Sequence, residues 1–455
     1  MKRAKRLYIL VGILVVLALA VVGSVKYQAH NEEIAATNET ILTINPDDVT
    51  SLSWTVDDTT LALYKDDGWQ YDEDAAFPVD ADKVESLLSY FDGLTAAFEI
   101  TDVENEADYG LDAPSCTIEI ATDDDTYTIK LGDYSTMDSQ RYVSIGDGNV
   151  YLVDTDPMEG YDCSLGDLLA RDDVPTISEA SSLSFIGDED VSITYEAYSD
   201  DSTDTYNSED VYFVQEDDDK LPLDTARVQS YLNVIAELSL DDYVTYKATD
   251  DDLATYGLDD PVLSAEISYS EDDETKTFAY SIGQTTAEND DGEEETTSYL
   301  RIGDSSIIYK LSADSADALL AAGADDFRHQ EIFSGDFADV TEIQASVDGE
   351  NYTLTSEEAD DARTFSYDDE EIDTSDLQSA LEALSVTEFT DEDASGEEEL
   401  ALTLRLDKEG VPEVTMTFYR IDGESCLAVI DGKTVGHVSR AAVIDLAEAL
   451  RAIVL

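Results

Sequence analysis

The chain of 455 residues is 42% hydrophobic and carries 107 acidic against 24 basic side chains, a formal net charge of −83. A surface of that sign repels phosphate backbones and anionic headgroups, which excludes nucleic-acid binding and leaves cations, basic proteins or a cation-rich wall matrix as its counterparts, with solubility in a salty medium as the plainer reading. Length suggests about three domains, and regular apolar periodicity argues that they fold despite the charge.

The first elements concern the membrane. Lys2, Arg3, Lys5 and Arg6 precede an uncharged, mostly apolar run from Leu7 to Val25. At 1.5 Å per residue this run nearly spans a hydrocarbon core about 30 Å thick, and it is longer than a signal-peptide apolar stretch. Residues 1–30 are therefore read as a basic cytoplasmic tail and an uncleaved single-span anchor, with a cleaved signal as the lesser reading. The positive-inside rule places the acidic body outside the cytoplasmic membrane.

Three segments then share one grammar: "VDADKVESLLSYF" from Val79, "LDTARVQSYLNVI" from Leu223 and "IDTSDLQSALEAL" from Ile372. Their apolar stripes, Val84/Leu87/Leu88/Phe91, Val228/Tyr231/Leu232/Ile235 and Leu377/Ala380/Leu381/Leu384, have offsets of 0, 3, 4 and 7 and predict three helices. Asp80, Asp224 and Asp373 stand where an N-cap belongs, and the aliphatic residue before each has the spacing of a hydrophobic staple. Alternating, turn-punctuated sequence upstream of each helix predicts hairpins, closed by aromatic pairs such as Trp69 and Tyr71. Downstream, alternation recurs through Cys116, Ile118 and Ile120, then Leu263, Ala265 and Ile267, followed by "YVSIGDGNVYLV" and "YLRIGDSSIIYKL", which read as hairpins.

Between helix and strand stands a repeated phrase, "YGLDAP" (Tyr109, Gly110, Leu111, Asp112, Pro114) and "YGLDDP" (Tyr256, Gly257, Leu258, Asp259, Pro261). Each glycine suits the left-handed position that ends a helix, the leucine folds back onto that helix, the aspartate suits an Asx turn, and the proline forces extended chain. The phrase is read as a structural joint, against a binding loop built on Tyr and Asp. The third copy lacks it and is read as diverged or capping.

Chemical motifs are sparse. His30, His329 and His437 have no partner at metal-ligand spacing, and His329 is read as a solvated loop residue. No CxxC, HExxH, GxSxG or glycine-rich phosphate loop occurs. Cys116, Cys163 and Cys426 are too few for a disulfide framework, and a Cys116–Cys163 bridge is the less favoured reading. Around Gly292 an EF-hand fails, because Ala287 and Ser298 occupy positions one and twelve. No catalytic residue, metal ligand or cofactor is assigned.

The order of capped helix, "YGLD-x-P", alternating strand, Ile/Leu-Gly and Tyr-led hairpin resembles the bacterial family named domain of unknown function 4340 (DUF4340). Residues 41–177 and 178–334 resemble it fully, and 335–455 without the phrase. The resemblance implies envelope anchoring and an accessory role, in some members beside gliding-type or other ABC transporter components, and brings no catalytic residues.

The expectation is thus an α+β protein of three tandem homologous units, each an antiparallel sheet with one amphipathic helix packed on it, after an N-terminal transmembrane helix. The leading function is a non-enzymatic, membrane-anchored extracytoplasmic accessory or adaptor whose partners are the membrane and an ABC transporter or other envelope protein. The rival readings are a cation- or ligand-binding surface module, with weak divalent association at acidic loops 285–298 and 391–399, and a hydrolase with an unrecognised site.

Overall fold

The computed structural model describes residues 39–454 apart from 102, 137–138, 217–218, 289–291, 348 and 360–361. The expected anchor and His30 lie outside the described residues, among which no helix is long and apolar enough to cross a membrane.

The described strands form three nine-stranded antiparallel sheets. All three share one path. A first meander leads into a helix, and the strand after the helix crosses to the far side, as the edge strand in sheets two and three and next to the edge in sheet one. The chain then returns to the centre and meanders outward until its last strand meets that crossing strand. In sheet one that strand is Asp92–Ile100, paired with Val150–Val153 on one side and on the other with Glu39–Thr43, which is the edge. In sheet two it is Tyr243–Thr245, beside Ile308–Lys310, and in sheet three Val386–Phe389, paired with Lys433–Ser439. The central seam is equally constant: Val49–Val56 pairs with Cys116–Thr122, Ala180–Ile186 with Leu263–Glu271, and Val340–Val347 with Glu397–Leu406. Across these seams Trp54 faces Ile118, Leu183 faces Ile267 and Ile343 faces Leu404, all buried. The period of two in the sequence therefore places one apolar face of each sheet inward.

That face is covered by α1 (Ala81–Ser89), α2 (Thr225–Ala236) and α3 (Ser375–Glu382). Their predicted stripes are buried, Ala380 of α3 being only partly so. At about 1.5–3 kcal/mol for each large apolar side chain removed from water, the stripe is what holds each helix to its sheet.

The expectation of one helix per unit needs correcting. Further helical segments follow the last strand of every sheet: Met158–Tyr161 in the first, Ala313–Leu320 in the second, and the 15-residue α4 (Arg440–Val454) in the third. These segments finish the cores. Tyr161 donates to Leu87 O of α1 at 3.0 Å and meets Trp54 edge-on, and Tyr231 of α2 donates to Leu319 O at 2.9 Å. Helix α4 buries Val443, Leu446, Ala447 and Leu450 beside α3.

The three sheets fall into two compact units. One contains sheet one, with residues up to Asp172 and Thr245–Lys247; the other contains sheets two and three. Within this second unit, the acidic loop 196–211 of sheet two reaches the third core. Tyr206 stacks on Phe333 with ring centres 5.5 Å apart, and Gly410 lies so close to Ser202 O that a Cβ there would overlap it.

Candidate functional site: a buried carboxylate behind His329

The repeated phrase is built alike in both copies. In the first, a 3-10 turn, Glu106–Tyr109, ends on Gly110 at φ 72°; in the second, the helix Asp250–Thr255 ends on Tyr256 and Gly257 follows at φ 69°. Leu111 N donates to Glu106 O at 3.1 Å and Leu258 N to Leu253 O at 2.8 Å, and both leucines are buried. Asp112 and Asp259 are exposed, and Pro114 and Pro261 lead into the seam strand. Tyr109 packs on Tyr142 and Tyr256 on Tyr299, with ring centres 5.1 and 4.7 Å apart.

The second half of the signature touches the first. A Cβ on Gly132 would overlap Tyr109 O, and one on Gly283 would overlap Tyr256 O. A Cβ on Gly110 would lie 2.5 Å from Asp133 Oδ1, and one on Gly257 2.7 Å from Gln284 O. The Ile/Leu-Gly element and the Tyr-Gly-Leu element therefore occur together because they are two sides of one backbone contact.

The cap residues divide. Asp80 accepts from Asp82 N and Lys83 N at 3.0 and 3.2 Å, and Asp224 from Ala226 N and Arg227 N at 2.8 and 3.4 Å. In the third copy the N-cap position falls to Thr374, while Asp373 sits one residue earlier and accepts from Ser375 N at 3.0 Å.

Chemistry gathers elsewhere, around His329, which is not the solvated loop residue its sequence suggests. Asp210 closes the loop 196–211 and is 1% exposed. Thr205 Oγ1 donates to its Oδ2 at 2.6 Å and Asn207 Nδ2 to its Oδ1 at 3.1 Å. The loop is tied to the first residue of α2, since Val211 N donates to Thr225 Oγ1 at 3.1 Å and Thr225 Oγ1 donates to Glu209 O at 2.8 Å. Against this carboxylate lies His329 Nε2, 2.8 Å from Asp210 Oδ1, with the side chain 16% exposed.

On the other side of the ring, Nδ1 lies 4.0 Å from Glu331 Oε2. Asp224 is adjacent, and Asp224, His329 and Glu331 each offer a ligand atom within 4.8 Å of the others. Burial works against the imidazolium, but the hydrogen bond and charge of Asp210, with Asp224 and Glu331 adding, hold the His329 pKa above its ordinary value. The segment is pinned to sheet three: Ile332 N donates to Leu384 O at 3.0 Å and Val386 N to Gln330 O at 2.7 Å.

The remaining candidates are quieter. All three cysteines are free. Burial pushes the thiols up, Cys116 to about 12 with Cys163 adding, Cys163 to about 11 and Cys426 to about 12, so none is a ready thiolate at neutral pH. Acidic loop 285–298 is the end of a hairpin formed by Glu274–Glu288 and Glu294–Ile302, and loop 391–399 runs into the strand Glu397–Leu406.

The family model described as "Domain of unknown function (DUF4340)" matches residues 69–209 and 213–403, and the chain belongs to that family. No curated protein and no solved structure matches.

Proposed function

We propose that this member of the DUF4340 family is a non-enzymatic accessory or adaptor, tethered to the outer side of the cytoplasmic membrane and working beside an ABC-type transport or cell-surface machine. The observation that carries the reading is where the repeated residues go. Tyr-Gly-Leu and Ile/Leu-Gly close on each other in a backbone joint, and the helical stripes fill the cores. What the chain repeats is scaffold, and a scaffold repeated in tandem presents surface. The basic cluster and apolar run before Tyr27 support the tether, and the charge of −83 suits an exported, soluble body that receives basic surfaces.

The test is photocrosslinking in intact cells from the exposed positions Tyr134, Ile186 and Ile421, on strands or turns of the three sheets. The reading expects an integral membrane protein of a transport or surface machine to be captured from at least one of them. Capture of no membrane protein from any position would contradict it.

A further inference from the structure

We infer that Asp224, His329 and Glu331 bind one first-row divalent metal ion of the zinc class, with Asp210 as the carboxylate that orients the histidine. The argument begins with the ring. Both Asp210 oxygens already accept, Oδ2 from Thr205 Oγ1 and Oδ1 from Asn207 Nδ2, so the carboxylate is also the acceptor for the ring nitrogen it faces at 2.8 Å. Nδ1 is left for a ligand, and it is the atom turned towards Glu331. A histidine held through one nitrogen by a buried carboxylate, itself fixed by Thr205 and Asn207, is the arrangement that sets the tautomer and aim of a metal-binding imidazole.

Charge supplies the second reason. Three carboxylates, those of Asp210, Asp224 and Glu331, converge on one imidazole. Of the neighbouring cations, Arg227 Nε lies 3.4 Å from Asp224 Oδ2, while Arg328 is stacked over Phe389 and paired with Asp325. Even a charged His329 with Arg227 leaves the group short of positive charge, and a dication balances it. The donor set of one imidazole nitrogen and two carboxylate oxygens suits zinc or manganese better than calcium, which prefers oxygen throughout, and it leaves room for water. Asp224 Oδ1 already caps α2, so its carboxylate is positioned in advance and Oδ2 is the oxygen to be exchanged from Arg227 to the ion. The ion would tie the start of α2 to the segment pinned against sheet three.

The test is calorimetric titration of the chelator-stripped full chain with ZnCl2, in high salt and excess CaCl2 so that surface carboxylates are already occupied. The expected result is one equivalent per chain. Glu331→Gln and Asp224→Asn, the latter keeping the cap because Asn serves there equally well, should each weaken binding about tenfold or more. Asp210→Asn should weaken it by roughly 10–100-fold. An unchanged unfolding midpoint of Glu331→Gln in chelator shows that the loss is one of ligand and not of fold. Absence of saturable uptake above calcium, or parental affinity in both Glu331→Gln and Asp224→Asn, would overturn the site.

Discussion

At Gly257 and Gly283 the chain has no room for a methyl group on either side of the contact, and Gly257 also holds a φ that other residues resist. Gly257→Ala combines left-handed strain with overlap on Gln284 O, and should cost about 1–3 kcal/mol in urea unfolding. Tyr256→Phe keeps the ring on Tyr299 and should stay within about 0.5 kcal/mol.

A second residue-scale expectation concerns Glu399, which Arg440 grips at 2.9 and 2.7 Å through two nitrogens. The hydrogen bonds from Arg440 hold the Glu399 carboxyl below its ordinary range against the opposing effect of partial burial. A depressed carboxylate contributes stability above its unfolded value of about 4.3 and loses it as pH falls through the lower folded value. Glu399→Gln should therefore cost about 1–2 kcal/mol at pH 7, and the difference from the parent should shrink on acidification, as thermal melts across pH 3–7 would show.

Among elements, the helices were open to inspection and the site was not. Cap, staple and stripe coincide at α1 and α2, so pattern alone places them. Asp80→Ala should cost about 1 kcal/mol, and Asp373→Ala less, since Asp80 accepts from two first-turn amides and Asp373 from one; matched urea melts compare the two. Helix α4 carries the same offsets in Val443, Leu446, Ala447 and Leu450, and was readable by the rule that found the others.

His329 and Asp210, by contrast, are 119 residues apart and meet only through tertiary folding. Asp210 is also one of 107 acidic residues, so nothing in composition marks it. The turns add another element-scale feature: Asp57-Asp58, Asp272-Asp273 and Asp368-Asp369 form two-residue hairpin loops with positive φ at both positions. Asn-Gly favours that geometry and removes two adjacent like charges. Replacing Asp272-Asp273 by Asn-Gly should stabilise by about 1 kcal/mol at low salt and by less at high salt, as melts at two ionic strengths would show.

For the whole molecule, self-repulsion from a net charge of −83 is the long-range force that the three apolar cores must overcome. Salt screens charges beyond roughly 10 Å, so the melting temperature should climb with NaCl; a flat profile would show that local pairing has already removed the repulsion. The contact of Tyr206 with Phe333 and of Ser202 with Gly410 explains why three sheets make two compact units, although the sequence grammar counts three.

The central claim is that the repeated phrase is a joint on which its sheet depends. Hydrogen exchange of the full-length Gly283→Ala variant tests this most directly, because the substitution touches the joint from the strand side and leaves the phrase itself intact. The account predicts loss of protection along the seam strands Ala180–Ile186 and Leu263–Glu271, well beyond the substitution. Change confined to residues 256–261 would contradict it.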